Sequence, residues 1–153
     1  VIVISKWRRL TAGLILAVVM IGCSNGPTRP DVIPVKGKVV YQQSTIPAGA
    51  LVVFHPTSPD VEKQIGGKPF ATVKDDGTFA LTTYANEDGA PEGEYGVTVD
   101  WRPKSAKQPK FSLGEGGNAG VSKLKPIYSN PQKPVLKASV KKGTVNEFTF
   151  QVD

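Results

Sequence analysis

Cysteine occurs once in the 153 residues, histidine once and methionine once. The lone cysteine, Cys23, excludes an internal disulfide. The lone histidine, His55, leaves a zinc site or a Ser-His-Asp triad short of the ligands and partners such sites need. It sits beside Pro56 at the end of an apolar run and reads as a strand-end residue. Amphipathic helical periodicity is absent beyond the N-terminal segment. Charge of one sign is also scarce. The formal net charge is +6, but Lys6, Arg8 and Arg9 supply half of it, leaving 16 basic against 13 acidic residues. The remaining lysines are scattered and lack interleaved aromatics, so no nucleic-acid partner is expected. No nucleophile or acid/base set stands out, which argues against an enzyme, and no cofactor is expected.

Glycine (16) and proline (13) are plentiful. With short apolar runs between them they indicate many turns, and therefore strands rather than helices. At this length the chain has room for one ordinary domain.

The N-terminal segment follows a different logic. Lys6, Arg8 and Arg9 form a positive cluster, and Leu10 to Gly22 (LTAGLILAVVMIG) is uncharged. Those 13 residues would span about 20 Å as a helix, short of the roughly 30 Å hydrocarbon core of a bilayer. A secretory signal peptide over residues 1–22 fits better than a membrane-spanning helix. Its end resembles a bacterial lipobox. Met20, Ile21 and Gly22 precede Cys23, with the small residue where the pattern needs it and Met20 where it usually carries leucine. The resemblance implies a diacylglyceryl thioether on Cys23, cleavage between Gly22 and Cys23, and acylation of the new amine. Stable anchoring takes two lipid signals, which several chains on one residue provide. Ser24 follows the cysteine where an Asp would retain the protein at the inner membrane. The expected location is therefore the cell envelope, more on the outer than the inner membrane, with the domain in the periplasm or at the surface. Residues 23–34 then read as the lipidated cysteine and a Pro-rich tether.

From Val35 to the end, period-2 patterning dominates. Val35 to Tyr41 places Val35, Gly37, Val39 and Tyr41 on one face and Lys36 and Lys38 on the other. Ala50 to Phe54 is a nearly continuous apolar strand. Phe70 to Val73 and Thr78 to Thr83 flank Lys74-Asp75-Asp76-Gly77, an Asp-Gly hairpin signal. Gly93 to Trp101 alternates, with Tyr95, Val97, Val99 and Trp101 inward. Leu136 to Val140 and Phe148 to Val152 close the set across a Lys141-Lys142-Gly143 turn. Thr57 to Pro69 and Tyr84 to Glu92 read as loops. Residues 102–126 read as a long loop, a mobile insertion or a functional one. About seven alternating strands and no good helix predict an all-β antiparallel sandwich over residues 35–153.

The order of "VKGKVVYQQSTIPAGALVVFHP", "ATVKDDGTFALTTY", "DGAPEGEYGVTVDW" and "PVLKASVKKGTVNEFTFQV" resembles the carboxypeptidase regulatory-like, transthyretin-like domains of small bacterial lipoproteins, a type common in planctomycetes. The resemblance runs from about Val35 to Val152. It implies a seven-stranded Greek-key sandwich without catalytic activity, in a lipoprotein with a structural or protein-interaction role. The expected partners are the membrane, through the lipid, and another envelope protein. The oligomeric state is left open.

Three further chemistries have residues to examine. Asp75, Asp76, Asn86 and Asp88 supply oxygen ligands of the kind calcium takes, without the EF-hand spacing, in turns that favour Asp and Asn for backbone reasons. Trp101 and Tyr95 would stack on a carbohydrate if exposed. Lys36 or Lys38 could form an amide with Asn146, with Glu94 assisting and ammonia leaving, but only if all were buried together. A small-ligand module for carbohydrate or calcium is the alternative to the interaction role.

Overall fold

The computed structural model describes residues 29–102 and 121–153. Its first strand, β1 (Val32–Ile33), lies inside the segment read as tether and pairs antiparallel with β6 (Ala90–Pro91). The chain is therefore fixed to the domain two residues ahead of Pro34. β2 (Val35–Tyr41) shows the expected alternation, with Val35, Gly37 and Val39 buried and Lys36 and Lys38 exposed. It is the centre of a three-stranded sheet, between β5 (Thr78–Ala80) and β9 (Asn146–Val152). A four-stranded sheet runs β4 (Phe70–Thr72), β3 (Leu51–Pro56), β7 (Gly93–Asp100), β8 (Leu136–Val140).

Two sheet features depart from the sequence expectation. The described residues form nine strands in three sheets rather than seven strands. The two additional ones, β1 and β6, have two residues each, too short for an alternation to show in the sequence. The ladder is also not antiparallel throughout, because β2 and β9 run parallel from Val35 opposite Asn146 to Tyr41 opposite Val152. Alternation marks which face of a strand is buried and carries no information about strand direction.

The segment Thr57 to Pro69, read as a loop, holds a seven-residue helix, α1 (Pro59–Ile65). Proline at its first turn costs no hydrogen bond, since that N–H has no partner in any helix. Gly66 takes the left-handed conformation (φ 72°) and its N–H closes on the Glu62 carbonyl, the usual helix stop. The helix buries no residue, so it left no apolar stripe for the sequence to show. No helix among the described residues is long and apolar enough to cross a membrane.

The two larger sheets meet at Phe54. From β3 its ring lies 6.4 Å from Phe79 of β5 and 6.1 Å from both Phe148 and Phe150 of β9, centroid to centroid. Within its own sheet it meets Tyr95 at 5.6 Å. These tilted and edge-on contacts are the favoured aromatic geometries. The inward valines of β2, β3 and β7 complete the core. The architecture is all-β and sandwich-like, built of open sheets with one short α-helix.

Tyr95 is fully buried, yet its hydroxyl donates to the Pro91 carbonyl at 2.7 Å. A tyrosine near a strand start, bonded to backbone a few residues upstream, pins the strand's entry in many β-sandwiches. Burial, with a smaller contribution from Tyr84, pushes its phenol up to about 12, so it stays a donor at any physiological pH. Tyr95→Phe leaves the buried Pro91 carbonyl without this donor and is expected to cost about 1–2 kcal/mol. Urea denaturation checks this, and an unchanged midpoint would mean that the bond contributes nothing.

Candidate functional site

Several of the residues that the sequence offers for chemistry are engaged in holding the fold. Asp88 is the clearest case. Its Oδ1 accepts the Thr83 N–H at 2.7 Å, and its Oδ2 accepts the N–H groups of Tyr84 at 3.0 Å and Ala85 at 2.9 Å. One carboxylate thus organises the loop between Thr83 and Gly89. Burial raises its pKa, but the backbone N–H bonds outweigh that, and the net shift is downward. Asp76 plays a similar part in the Asp-Gly turn, accepting both the N–H and the hydroxyl of Thr78 at 2.9 and 2.6 Å. Those bonds hold its pKa below the usual value. Asp75 and Asn86 are exposed on these two turns. The turns touch through an ion pair, Lys74 to Glu87 at 2.7 Å, which places an ammonium group beside the acids. Among the described residues no three His, Cys, Asp or Glu side chains come together as metal ligands.

The sign of the pH effect follows from Asp88. A carboxylate whose folded pKa is depressed contributes stability that is present above its unfolded value, near 4, and is lost as pH falls through the lower folded value. The wild type is therefore expected to lose thermal stability between about pH 5 and pH 2. Asp88→Asn should be less stable at pH 7 by about 1–2 kcal/mol and have a flatter acid limb. Melting temperatures across that range check it, and parallel wild-type and variant curves would count against the role.

His55 lies on the outer face of the four-stranded sheet, its Nε2 2.8 Å from the Thr98 hydroxyl. Burial, then Lys68, lower its pKa, while Glu62 works in the opposite direction. Lys68 and Glu62 pair at 3.2 Å. No carboxylate among the described residues hydrogen-bonds the imidazole to complete a triad with the Thr98 hydroxyl.

The proposed amide-forming set does not assemble. Asn146 is opposite Val35 and points inward, while Lys36 is opposite Glu147 on the outer face. Asn146 instead closes the β8–β9 turn. Its Oδ1 accepts the Lys141 N–H at 2.9 Å, and its amide donates to the carbonyls of Lys141 and Thr144 at 3.0 and 3.2 Å. Glu94 is in the other sheet, exposed, and accepts the Ser139 hydroxyl. Both lysines are exposed, so the buried cluster that the reaction needs is not formed by these residues.

Of the two aromatics considered for sugar stacking, Tyr95 is buried in the core. Trp101 is half-buried just beyond β7. Its indole N–H donates to the Ala48 carbonyl at 3.1 Å, Tyr41 meets it edge-on at 5.4 Å, and the Lys123 ammonium lies 4.8 Å above its ring. Sequence inspection missed the neighbouring cluster in which Lys125 and Tyr128 both donate to Asp153. Those residues lie on segments far apart in the chain and share no motif. Tyr128 and Asp153 border a shallow cleft of about 530 Å3 with Gln42, Gln43 and Gln151. A second cleft, about 290 Å3, lies at the opposite end between β1, α1 and Lys142.

Residues 1–28, which include the segment read as a signal peptide, Gly22, Cys23 and the first part of the segment read as a tether, lie outside the described residues, as do residues 103–120 of the long loop. Leu124, at the far side of that loop, is buried in the core. The fold and these sites define an all-β domain whose polar side chains serve its turns and strand ends. No protein-family model, curated protein or solved structure matches the chain.

Proposed function

We propose that this chain is a non-enzymatic lipoprotein of the bacterial cell envelope, anchored through acyl chains on Cys23 and presenting a structural or protein-interaction domain. One observation carries the reading. The only cysteine stands directly after an uncharged apolar run and a small residue, and the first described strand begins nine residues beyond it, at Val32. A lipid placed there tethers the domain to the bilayer through the Pro-rich segment that follows Cys23. The non-enzymatic half of the proposal is supported by Asp88, Asn146 and His55, each engaged with neighbouring groups of the fold. The finer assignment, a seven-stranded Greek-key domain of the carboxypeptidase regulatory-like kind, draws support from the three- and four-stranded sheets and from the Tyr95–Pro91 bond. The small-ligand alternative has less behind it, since the acidic turns hold no ligand cluster and Trp101 is covered by Lys123.

The test is the intact mass of the protein extracted from native membranes. The expected mass is that of the chain from Cys23 onward plus its acyl groups. Cys23→Ser should leave the membrane fraction or remain uncleaved. An unacylated chain in the soluble fraction would overturn the anchor and make this a secreted domain.

A further inference from the structure

Among the described residues β9 pairs with β2 alone, so its other side is a sheet edge. That edge is seven residues long (NEFTFQV), has no proline and carries one charge, Glu147. Natural edges are normally blunted by shortness, proline, lysine or a bulge. The other edges here are. β4 has three residues and is bridged at Phe70 to Thr82, and β8 carries Lys137 at its second position and follows Pro134.

Parallel pairing fixes which backbone groups are free. Alternate residues of a strand turn both N–H and C=O to the same side. The Val152 carbonyl accepts the Gln42 N–H at the end of β2, so the even-numbered residues of β9 face β2. Glu147, Thr149 and Gln151 turn theirs to the open side. Asp153 shares their parity, and its carbonyl indeed accepts the Lys125 N–H from outside the ladder. The side chains of Glu147, Thr149 and Gln151 are exposed on the outer face, while Phe148 is only half-buried on the inner face.

We propose that the open edge of β9 pairs antiparallel with β9 of a second copy of this chain, about a two-fold axis at Thr149. The occupant is a second copy because the edge is complementary to itself. Thr149 meets Thr149, and Glu147 meets Gln151 in both directions, so no like charges are opposed. All three are the residues with free backbone groups, and each opposed pair exchanges both hydrogen bonds. Phe148 falls opposite Phe150 of the second copy on the inner face, where the exposed half of its ring becomes covered. Neighbouring registers do worse. Shifting one way opposes Glu147 to Asp153, and shifting the other carries Gln151 past the strand start to Val145. The contact is isologous and closed, so it consumes both open edges and does not propagate.

Disulfide trapping tests this on the full chain in its own cell envelope. A residue on the axis meets its own copy at a Cα separation of about 5.5 Å, within the range a disulfide spans. Thr149→Cys should give a covalent dimer on a non-reducing gel under mild oxidation, well above the wild-type background. Glu147→Cys and Gln151→Cys alone should stay at that background, and the two together in one chain should crosslink. Equal crosslinking at all three positions would mean random collision and overturn the proposal, as would none at 149. A charge test avoids cysteine. Gln151→Glu opposes Glu147 and should lower the dimer fraction in sedimentation of the detergent-extracted protein about tenfold, and adding Glu147→Lys should restore it. An unchanged dimer fraction in Gln151→Glu would rule out this register.

Discussion

Phe54→Ala is expected to cost about 3–5 kcal/mol, the largest loss at any single core position of this domain. Phe54 is fully buried and touches aromatic rings in both larger sheets, with Phe79, Phe148 and Phe150 across the interface and Tyr95 beside it. Truncation removes the transfer energy of the ring and leaves a cavity that four rings on three strands cannot jointly fill. Stability of a domain this size is about 5–15 kcal/mol in total, so the loss is a large fraction of it and the variant should be less abundant in cells. Phe54→Leu keeps most of the volume and should lose less than half as much. Urea midpoints for the pair check this. A Phe54→Ala loss below 1 kcal/mol would mean that the two sheets do not pack on each other at this ring.

The core was legible because its strands alternate. In β2 and β7 the inward positions Val35, Val39, Tyr95, Val97 and Val99 follow from parity alone, and all are buried. The Asp-Gly turn was legible from its residues and carries the Asp76–Thr78 bonds that such turns favour. Pairing direction was not, since Val35–Tyr41 and Asn146–Val152 have the same pattern whether parallel or antiparallel, and more than a hundred residues separate them. α1 escaped notice because a helix without a buried face has no periodicity to read. Among the candidate site residues, the exposure of Lys36 and Lys38 followed from their parity in β2. The role of Asp88 did not, because the three N–H groups it accepts become convergent only once the loop has closed on Gly89, whose own N–H bonds the Leu81 carbonyl at 2.8 Å.

Gly37→Val should be the most damaging substitution in β2, although valine is the better strand former. Gly37 lies inward between Val35 and Val39, at the centre of the three-stranded sheet. A Cβ added there would fall 2.3 Å from the Phe148 carbonyl oxygen and 2.5 and 2.6 Å from two ring atoms of Phe79. The Phe79 ring could swing away only by leaving its stack with Phe150, centroids 6.1 Å apart and planes 11° from parallel. The carbonyl belongs to the neighbouring backbone of β9 and cannot move without opening the β2–β9 ladder. Overpacking of this kind costs about 1–3 kcal/mol when side chains alone must yield, and more is expected where a strand must shift. Gly37→Ala should already lose about 2 kcal/mol, and Gly37→Val should lose more. Amide hydrogen exchange along β9 separates this from a general loss of stability, since protection should fall first at the residues facing Gly37. A Gly37→Ala protein as stable as wild type would mean that β2 and β9 are farther apart than their pairing requires. The same strand displacement would disturb the open edge at Thr149, so Gly37→Ala should also weaken the contact between copies without altering any residue on it.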